Sequence, residues 1–243
     1  IYQCDWSSDV CSSDLAITLS VEHSSVKKGE TLADTARTLG AMGPDALVLR
    51  HRQNGAAEEV AALVDCPVVN AGDGTNEHPT QALLDALTLT QHFGDLHGRR
   101  IAIIGDIRHS RVARSNAALL PRLGAEVRLA GPPSLIPEDV TALSIDEAIS
   151  GADAVMMLRV QRERMDEDLG DAPGEYLFHY GLTAKRLALA APHAVVLHPG
   201  PMNRGVEISD EVADLPERSL ILRQVANGVA TRMAVLEMLV AGL

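Results

Sequence analysis

The residues of this chain that could do chemistry stand just after short apolar runs. Arg50-His51-Arg52-Gln53 follows Leu49, and Gly72-Asp73-Gly74-Thr75-Asn76-Glu77-His78-Pro79-Thr80-Gln81 follows Asn70. Gly105-Asp106-Ile107-Arg108-His109-Ser110-Arg111 follows Ile104, Arg159-Val160-Gln161 follows Leu158, and His198-Pro199-Gly200-Pro201 follows Leu197. Four of these five segments supply a histidine and three supply an arginine. Lys27, Lys28, Arg50, Arg52, Arg108, Arg111, Arg114 and Arg159 lie within or beside such loops, in a chain whose 33 acidic and 21 basic residues give a formal net charge of -12. Positive charge that is globally scarce is thus gathered locally, and the ligand it suits is a small polyanion. Arginine binds carboxylate or phosphate in a bidentate fork. Two separated arginine positions in the second half suit a dicarboxylate. His78 stands at an expected helix start beside Gln81, where its imidazole could face a ligand held by the same N-terminus. His51, His92, His97, His109, His179 and His193 read as surface or packing residues. Gly105-Asp106 lacks the glycine spacing of a dinucleotide loop.

Elements that place these residues can be read from periodicity. Apolar runs at Ala46-Leu49, Val68-Asn70, Ile101-Ile104, Val127-Ala130, Ala154-Leu158, Ala194-Leu197 and Leu220-Leu222 suggest strands buried on both faces. Three- and four-residue apolar spacing predicts helices over Glu30-Leu39, Pro79-Phe93, Arg111-Leu123 and Val229-Val240. Their alternation is that of an α/β protein with parallel sheets flanked by helices, whose ligands sit at the carboxyl ends of strands. The polar, glycine-bearing stretch Gly94-Asp95-Leu96-His97-Gly98-Arg99-Arg100 suggests a boundary, giving a first domain over 16–95 and a second over 96–225. A last helix over 226–243 could return to the first domain. Residues 1–15 differ from the rest, holding two of the three cysteines and the single tryptophan, and read as a leader foreign to the fold or as a disordered tail.

Composition removes several function classes. A chain of 243 residues with 46% apolar residues can build one or two cores. Its negative charge disfavours nucleic acid and anionic membrane surfaces, and no apolar run is long enough for a membrane span. Three cysteines without CxxC spacing form neither a disulfide framework nor a zinc site, which suggests a reducing cytoplasm.

Six segments occur together in a known order: Ser24-Ser25-Val26-Lys27-Lys28-Gly29-Glu30-Thr31-Leu32, Arg50-His51, His78-Pro79-Thr80-Gln81, Gly105-Asp106 with Arg111, Arg159-Val160-Gln161 with Glu163-Arg164, and His198-Pro199 with Pro201. In them the chain, from about Ala16 to Leu243, resembles the catalytic chains of the aspartate carbamoyltransferase family. The ornithine branch, which typically has a cysteine after the histidine that His198 matches, is less similar. The resemblance implies transfer of a carbamoyl group from carbamoyl phosphate to L-aspartate in pyrimidine biosynthesis, with no metal or organic cofactor. It implies that Arg50 and His78 donate to the carbonyl oxygen, with Arg50 also near the phosphate, and that Gln81 meets the carbamoyl nitrogen. Arg111, Arg159 and Gln161 match aspartate-binding residues. Pro199, Gly200 and Pro201 match a turn with a cis proline bond whose backbone carbonyls face substrate nitrogens. Ser24 and Lys28 match a loop that crosses into a neighbouring subunit's site, Lys28 reaching both substrates, so a homotrimer is expected. A regulatory chain or a dihydroorotase remains open as a partner, and another carbamoyltransferase or a non-catalytic assembly homologue as an alternative.

Two departures accompany the match. Gly200 stands where many members have leucine. The Ser-Thr-Arg-Thr phosphate-binding motif expected before the Ser24-Lys28 loop is not found, so the expectation is a chain incomplete at its N-terminus, with a truncated first domain and impaired activity.

Overall fold

The computed structural model describes residue 16 and residues 30–160 and 174–241. Through them run, in order, α1 (Leu32–Gly40), β1 (Leu47–His51), α2 (Ala56–Ala61), β2 (Val68–Asp73), α3 (Pro79–Phe93), β3 (Arg100–Ile104), α4 (Arg111–Leu119), β4 (Glu126–Ala130), α5 (Ile145–Ile149), β5 (Ala154–Met157), α6 (Glu175–Tyr180), α7 (Ala184–Leu187), β6 (Val195–Leu197), α8 (Asp210–Ala213) and α9 (Ile221–Val240). The fold is α/β with two parallel sheets, one pairing β1 with β2 and one ordered β4-β3-β5-β6.

Period-two alternation sends neighbouring side chains of the larger sheet to opposite faces. Ala102, Ile104, Val155, Met157 and Val196 pack with α5, α7 and α8, whereas Ile101, Ile103, Ala154, Met156, Val195 and Leu197 pack with α3 and α4. β3 from Ile101 onward, β5 and β6 are buried throughout, as runs without alternation require. The smaller sheet departs from that expectation. Val48 of β1 is 61% exposed, and the strand alternates between half-buried and exposed residues. Among the described residues nothing covers that face of β1.

Local chemistry sets the helix starts. Thr31, Ser110 and Ser144 accept backbone N–H groups from Asp34, Ala113 and Glu147, and Glu147 returns a bond to the Ser144 N–H to close a capping box. The expected helix over Arg111-Leu123 divides: α4 ends at Leu119, and Leu120–Leu123, with Pro121 near its start, tightens into a 3₁₀ turn. Leu220-Leu222 is not a strand. The Ser219 segment makes one parallel bridge to Val196, with Leu220 N–H donating to Val196 O at 2.9 Å, and α9 starts at Ile221. Ile221 is buried and Leu222 is 80% exposed, which is helical rather than strand geometry. The helix expected over Val229-Val240 therefore begins two turns earlier.

α3 is the element both regions share. It lies against β2, α4 and α9, and its Ala86 and Leu89 enter the core under the larger sheet. α3 and α9 are joined by buried hydrogen bonds, from Gln224 Nε2 to Asp85 Oδ1 at 2.7 Å and from Asn227 Nδ2 to Thr88 Oγ1 at 2.8 Å.

Candidate active site

His78 is the N-cap of α3, with Pro79 in the first turn where its missing N–H costs nothing. The His78 backbone N–H donates to Ser115 Oγ of α4 at 2.9 Å, which fixes the helix entry against its neighbour. Its imidazole is half-buried, and Nδ1 has no hydrogen-bond partner among the described residues. Burial, then the charges of Arg111, Arg232 and Arg50, hold its pKa down to about 4. The charges of Arg111 on α4, Arg232 on α9 and Arg50 on β1 thus all disfavour protonation of this histidine. Such a field favours an anion.

Arg111 opens α4, and its side chain lies across the end of β2. A Cβ built on Gly72 would come within 2.8 Å of Arg111 Cζ, and Gly72 has φ +116, so both space and backbone conformation call for glycine. Arg111 Nη1 also donates to Gly74 O at 3.4 Å. The loop beneath is organised by Asp73, a buried carboxylate that accepts from Gly55 N at 2.7 Å, Asn70 Nδ2 at 2.8 Å, Asn76 Nδ2 at 3.0 Å and Glu77 N at 3.0 Å. Burial raises its pKa, but the four hydrogen bonds outweigh that and hold it at about 2.

Gln81, one turn into α3, is buried and donates through Nε2 to Asp85 Oδ1 at 3.0 Å. Arg50 lies exposed in β1, and Arg159 is half-buried after β5. After β6, His198 is buried: its N–H donates to Gln224 Oε1 at 2.9 Å, its Nδ1 accepts from Gly200 N at 2.9 Å, and its Nε2 stands 3.2 Å from Glu207 Oε1. Since Nδ1 accepts, the neutral ring carries its proton on Nε2, toward Glu207. The Pro199–Pro201 turn that follows has a cis Gly200–Pro201 bond, and Gly200 adopts φ +68, the region that favours glycine.

Arg50, His78, Gln81, Arg111, Arg159 and Pro199–Pro201 are therefore all at or just beyond strand ends. Ser24, Lys28 and Gln161, with Glu163 and Arg164, lie outside the described residues. The histidines read as packing or surface groups are held by neighbours: His109 Nδ1 is 3.0 Å from Asp106, His193 Nε2 is 2.7 Å from Asp153, and His51 Nδ1 accepts from Gln53 N at 3.1 Å. Sequence reasoning missed Arg232, Ser115, Asp85 and Gln224. Arg232 is exposed on a helix, with no signal to separate it from a solvated charge. Asp85 did carry one, because it sits four residues after Gln81 on the face that buries Ala82, Ala86 and Leu89.

A cavity of about 790 Å³, lined by Arg108, Ile136, Leu143, Asp146, Tyr180 and Arg186 among others, contains none of these residues. Its cations are already committed, Arg186 Nε to Asp146 Oδ1 at 2.9 Å and Arg108 Nη2 to Ile136 O at 2.7 Å. It is not the site. Among the described residues no cluster of three or more His, Cys, Asp or Glu could hold a metal ion, and no helix is long and apolar enough to cross a membrane.

Comparison with known proteins bears on this arrangement. Residues 10–91 match the family described as aspartate/ornithine carbamoyltransferase, carbamoyl-P binding domain, and residues 97–239 match its Asp/Orn binding domain. The aspartate carbamoyltransferase catalytic subunit of Maricaulis maris is 55% identical over 233 residues, covering 93% of this chain and 73% of that protein. The crystal structure of aspartate transcarbamoylase from Trypanosoma cruzi in complex with N-(phosphonacetyl)-L-aspartic acid is 34% identical, with a TM-score of 0.77 and coverage of 90% of this chain and 73% of that one. Ornithine carbamoyltransferase from Thermus thermophilus is 28% identical, with a TM-score of 0.78 and coverage of 91% and 75%.

Proposed function

The chain belongs to the aspartate/ornithine carbamoyltransferase family, and from that premise we propose how its residues divide the work of a reaction on carbamoyl phosphate. It is an enzyme that transfers the carbamoyl group to L-aspartate, giving N-carbamoyl-L-aspartate and phosphate. The observation that carries the assignment of roles is His78 at the start of α3, its Nδ1 without a hydrogen-bond partner among the described residues and the Arg111 side chain lying across the adjoining end of β2.

The aspartate amine attacks the carbamoyl carbon, the carbonyl oxygen becomes an oxyanion, and the C–O bond to phosphate breaks. With its pKa near 4, His78 is neutral at neutral pH and is a poor proton acceptor. It acts as a hydrogen-bond donor to the oxyanion, together with Arg50, and such preorganised donors supply the largest share of many rate enhancements. The proton lost by the amine passes to the leaving phosphate. Gln81 meets the carbamoyl nitrogen, and the Pro199–Pro201 carbonyls orient substrate N–H groups. Arg111 and Arg159, with Gln161 of the undescribed segment, hold the two aspartate carboxylates. Ser24 and Lys28 complete the site from a neighbouring subunit, which makes the working unit a homotrimer in the cytoplasm.

One preparation tests the reading. Carbamoyl phosphate is supplied with L-aspartate or with L-ornithine, and product is expected only with aspartate. Sedimentation is expected at three times the chain mass of 25.9 kDa. Arg159→Ala should raise the aspartate KM far more than the carbamoyl phosphate KM, because a bidentate partner is lost on one substrate alone, a change of about 2–5 kcal/mol. Carbamoyl transfer to ornithine, or an unchanged aspartate KM in the variant, would remove the assignment.

A further inference from the structure

Asp85 is fully buried in α3, and three side-chain amides donate to it: Gln81 Nε2 at 3.0 Å and Gln224 Nε2 at 2.7 Å on Oδ1, and Asn116 Nδ2 at 2.8 Å on Oδ2. An ionised carboxylate can only accept hydrogen bonds, whereas a carboxamide donates from one end and accepts at the other. A glutamine facing such a carboxylate must therefore turn its NH₂ inward and its carbonyl oxygen away. Both glutamines here have a use for that oxygen. Gln224 Oε1 accepts the His198 N–H that leads into the Pro199–Pro201 turn. Gln81 Oε1 is the end of the amide left to meet a donor such as a carbamoyl NH₂. Asn116 belongs to α4, the helix that Arg111 opens, so one carboxylate ties α3, α4 and α9 behind the site.

We propose that Asp85 is a positioning residue which fixes the amide polarity of Gln81 and Gln224, and so aligns the acceptor for the carbamoyl nitrogen with the turn after β6. The role given to Gln81 rests on the carbamoyl-transfer reading; the role given to Gln224 rests on geometry alone. A carboxylate that only filled the core would have no reason to gather two glutamines whose oxygens face the site and the turn after β6. Among the described residues, the charge of Arg232 on α9 also favours the ionised form of Asp85, against the effect of its burial.

Asp85→Asn keeps the volume and removes the fixed polarity, since an Asn NH₂ must face at least one of the three donors. Misalignment of a substrate contact can cost about 100-fold. In the purified enzyme, kcat/KM for carbamoyl phosphate should fall by about 10–100-fold in Asp85→Asn. In a Gln81→Met background the same substitution should cost severalfold less, because one of the two amides it orients is gone and only the Gln224 route remains. A second reading does not depend on turnover. Amide exchange at His198 and Gly200 should rise in Asp85→Asn while β3 and β5 keep their protection. Equal losses in both backgrounds, or His198 exchange unchanged in the folded variant, would overturn the proposal. Should Asp85→Asn fail to fold, the pair Gln81→Met and Gln224→Met decides: coupled effects on kcat/KM support a shared node, and additive effects refute it. Absence of carbamoyl transfer by the parent enzyme would instead count against the functional reading, leaving His198 exchange to judge Asp85.

Discussion

A half-buried histidine in the field of three arginines is suited to what it does not do, which is take up a proton. Burial of His78, reinforced by Arg111, Arg232 and Arg50, places its titration near 4 instead of 6.5, so its ring has one N–H to give throughout the neutral range. For stability the sign is definite. Unfolded His78 binds a proton below 6.5 and the folded ring does not until about 4, so the stability this group contributes is complete above 6.5 and is lost as pH falls toward 4. Asp85 has the opposite sign: burial lifts its carboxyl to about 6 from 3.8, so stability falls as pH rises through that interval. The two slopes oppose one another over nearly the same range. NMR titration of the ligand-free enzyme should find the His78 midpoint well below that of a free imidazole. In Arg111→Met it should move up yet remain below 6.5, since burial is the larger cause. A midpoint near 6.5 in the parent would remove His78 from its role as a neutral donor.

At the scale of elements, the loop between β2 and α3 is made by one side chain. Asp73 accepts four N–H groups from Gly55, Asn70, Asn76 and Glu77, joining the start of α2 to the turn that carries His78. Asp73→Asn would point an NH₂ at two of those donors, and a buried donor left unpaired costs about 1–3 kcal/mol. Its carboxyl is held near 2, so the stabilisation is present above 3.8 and is lost as pH falls to about 2. Urea unfolding should therefore show a gap between parent and Asp73→Asn at pH 6 that narrows below pH 4. A gap independent of pH would mean that charge is not what Asp73 contributes. Strand ends and their histidines and arginines were legible because apolar runs ending in polar loops are a local signal, and so was the helix that His78 opens. The start of α9 was not. Gln224, Asn227 and Gly228 occupy its buried face, so apolar periodicity fails where α9 meets α3. The network behind the site was hidden for the same reason, since Asp85, Gln81 and Gln224 come together across 139 residues of sequence.

Taken whole, the molecule joins a large, dry sheet to a small, exposed one along a polar seam, and His78 and Arg111 of the candidate site lie on that seam. β3, β5 and β6 have side chains at or near zero exposure from Ile101 onward, whereas β1 has Val48 at 61% and α2 is only six residues long. Across the seam run Arg111 against Gly72, its bond to Gly74 O, and the His78 N–H to Ser115 Oγ. Few apolar contacts and many solvent-facing hydrogen bonds mark a region that opens at lower free energy than the core. A site that must admit a polyanion between its parts gains from such a division, because arginines from both sides can close on the ligand without disturbing the larger core. Native-state hydrogen exchange should therefore release amides of β1 and β2 through a local opening, at a lower free energy than those of β3 and β5. Ser115→Ala, which removes one bond across the seam, should lower the opening energy of β1 and β2 by about 1 kcal/mol while leaving β3 and β5 unchanged. Equal protection of both sheets, or a Ser115→Ala effect spread evenly over them, would show instead that the two sheets open as one cooperative unit.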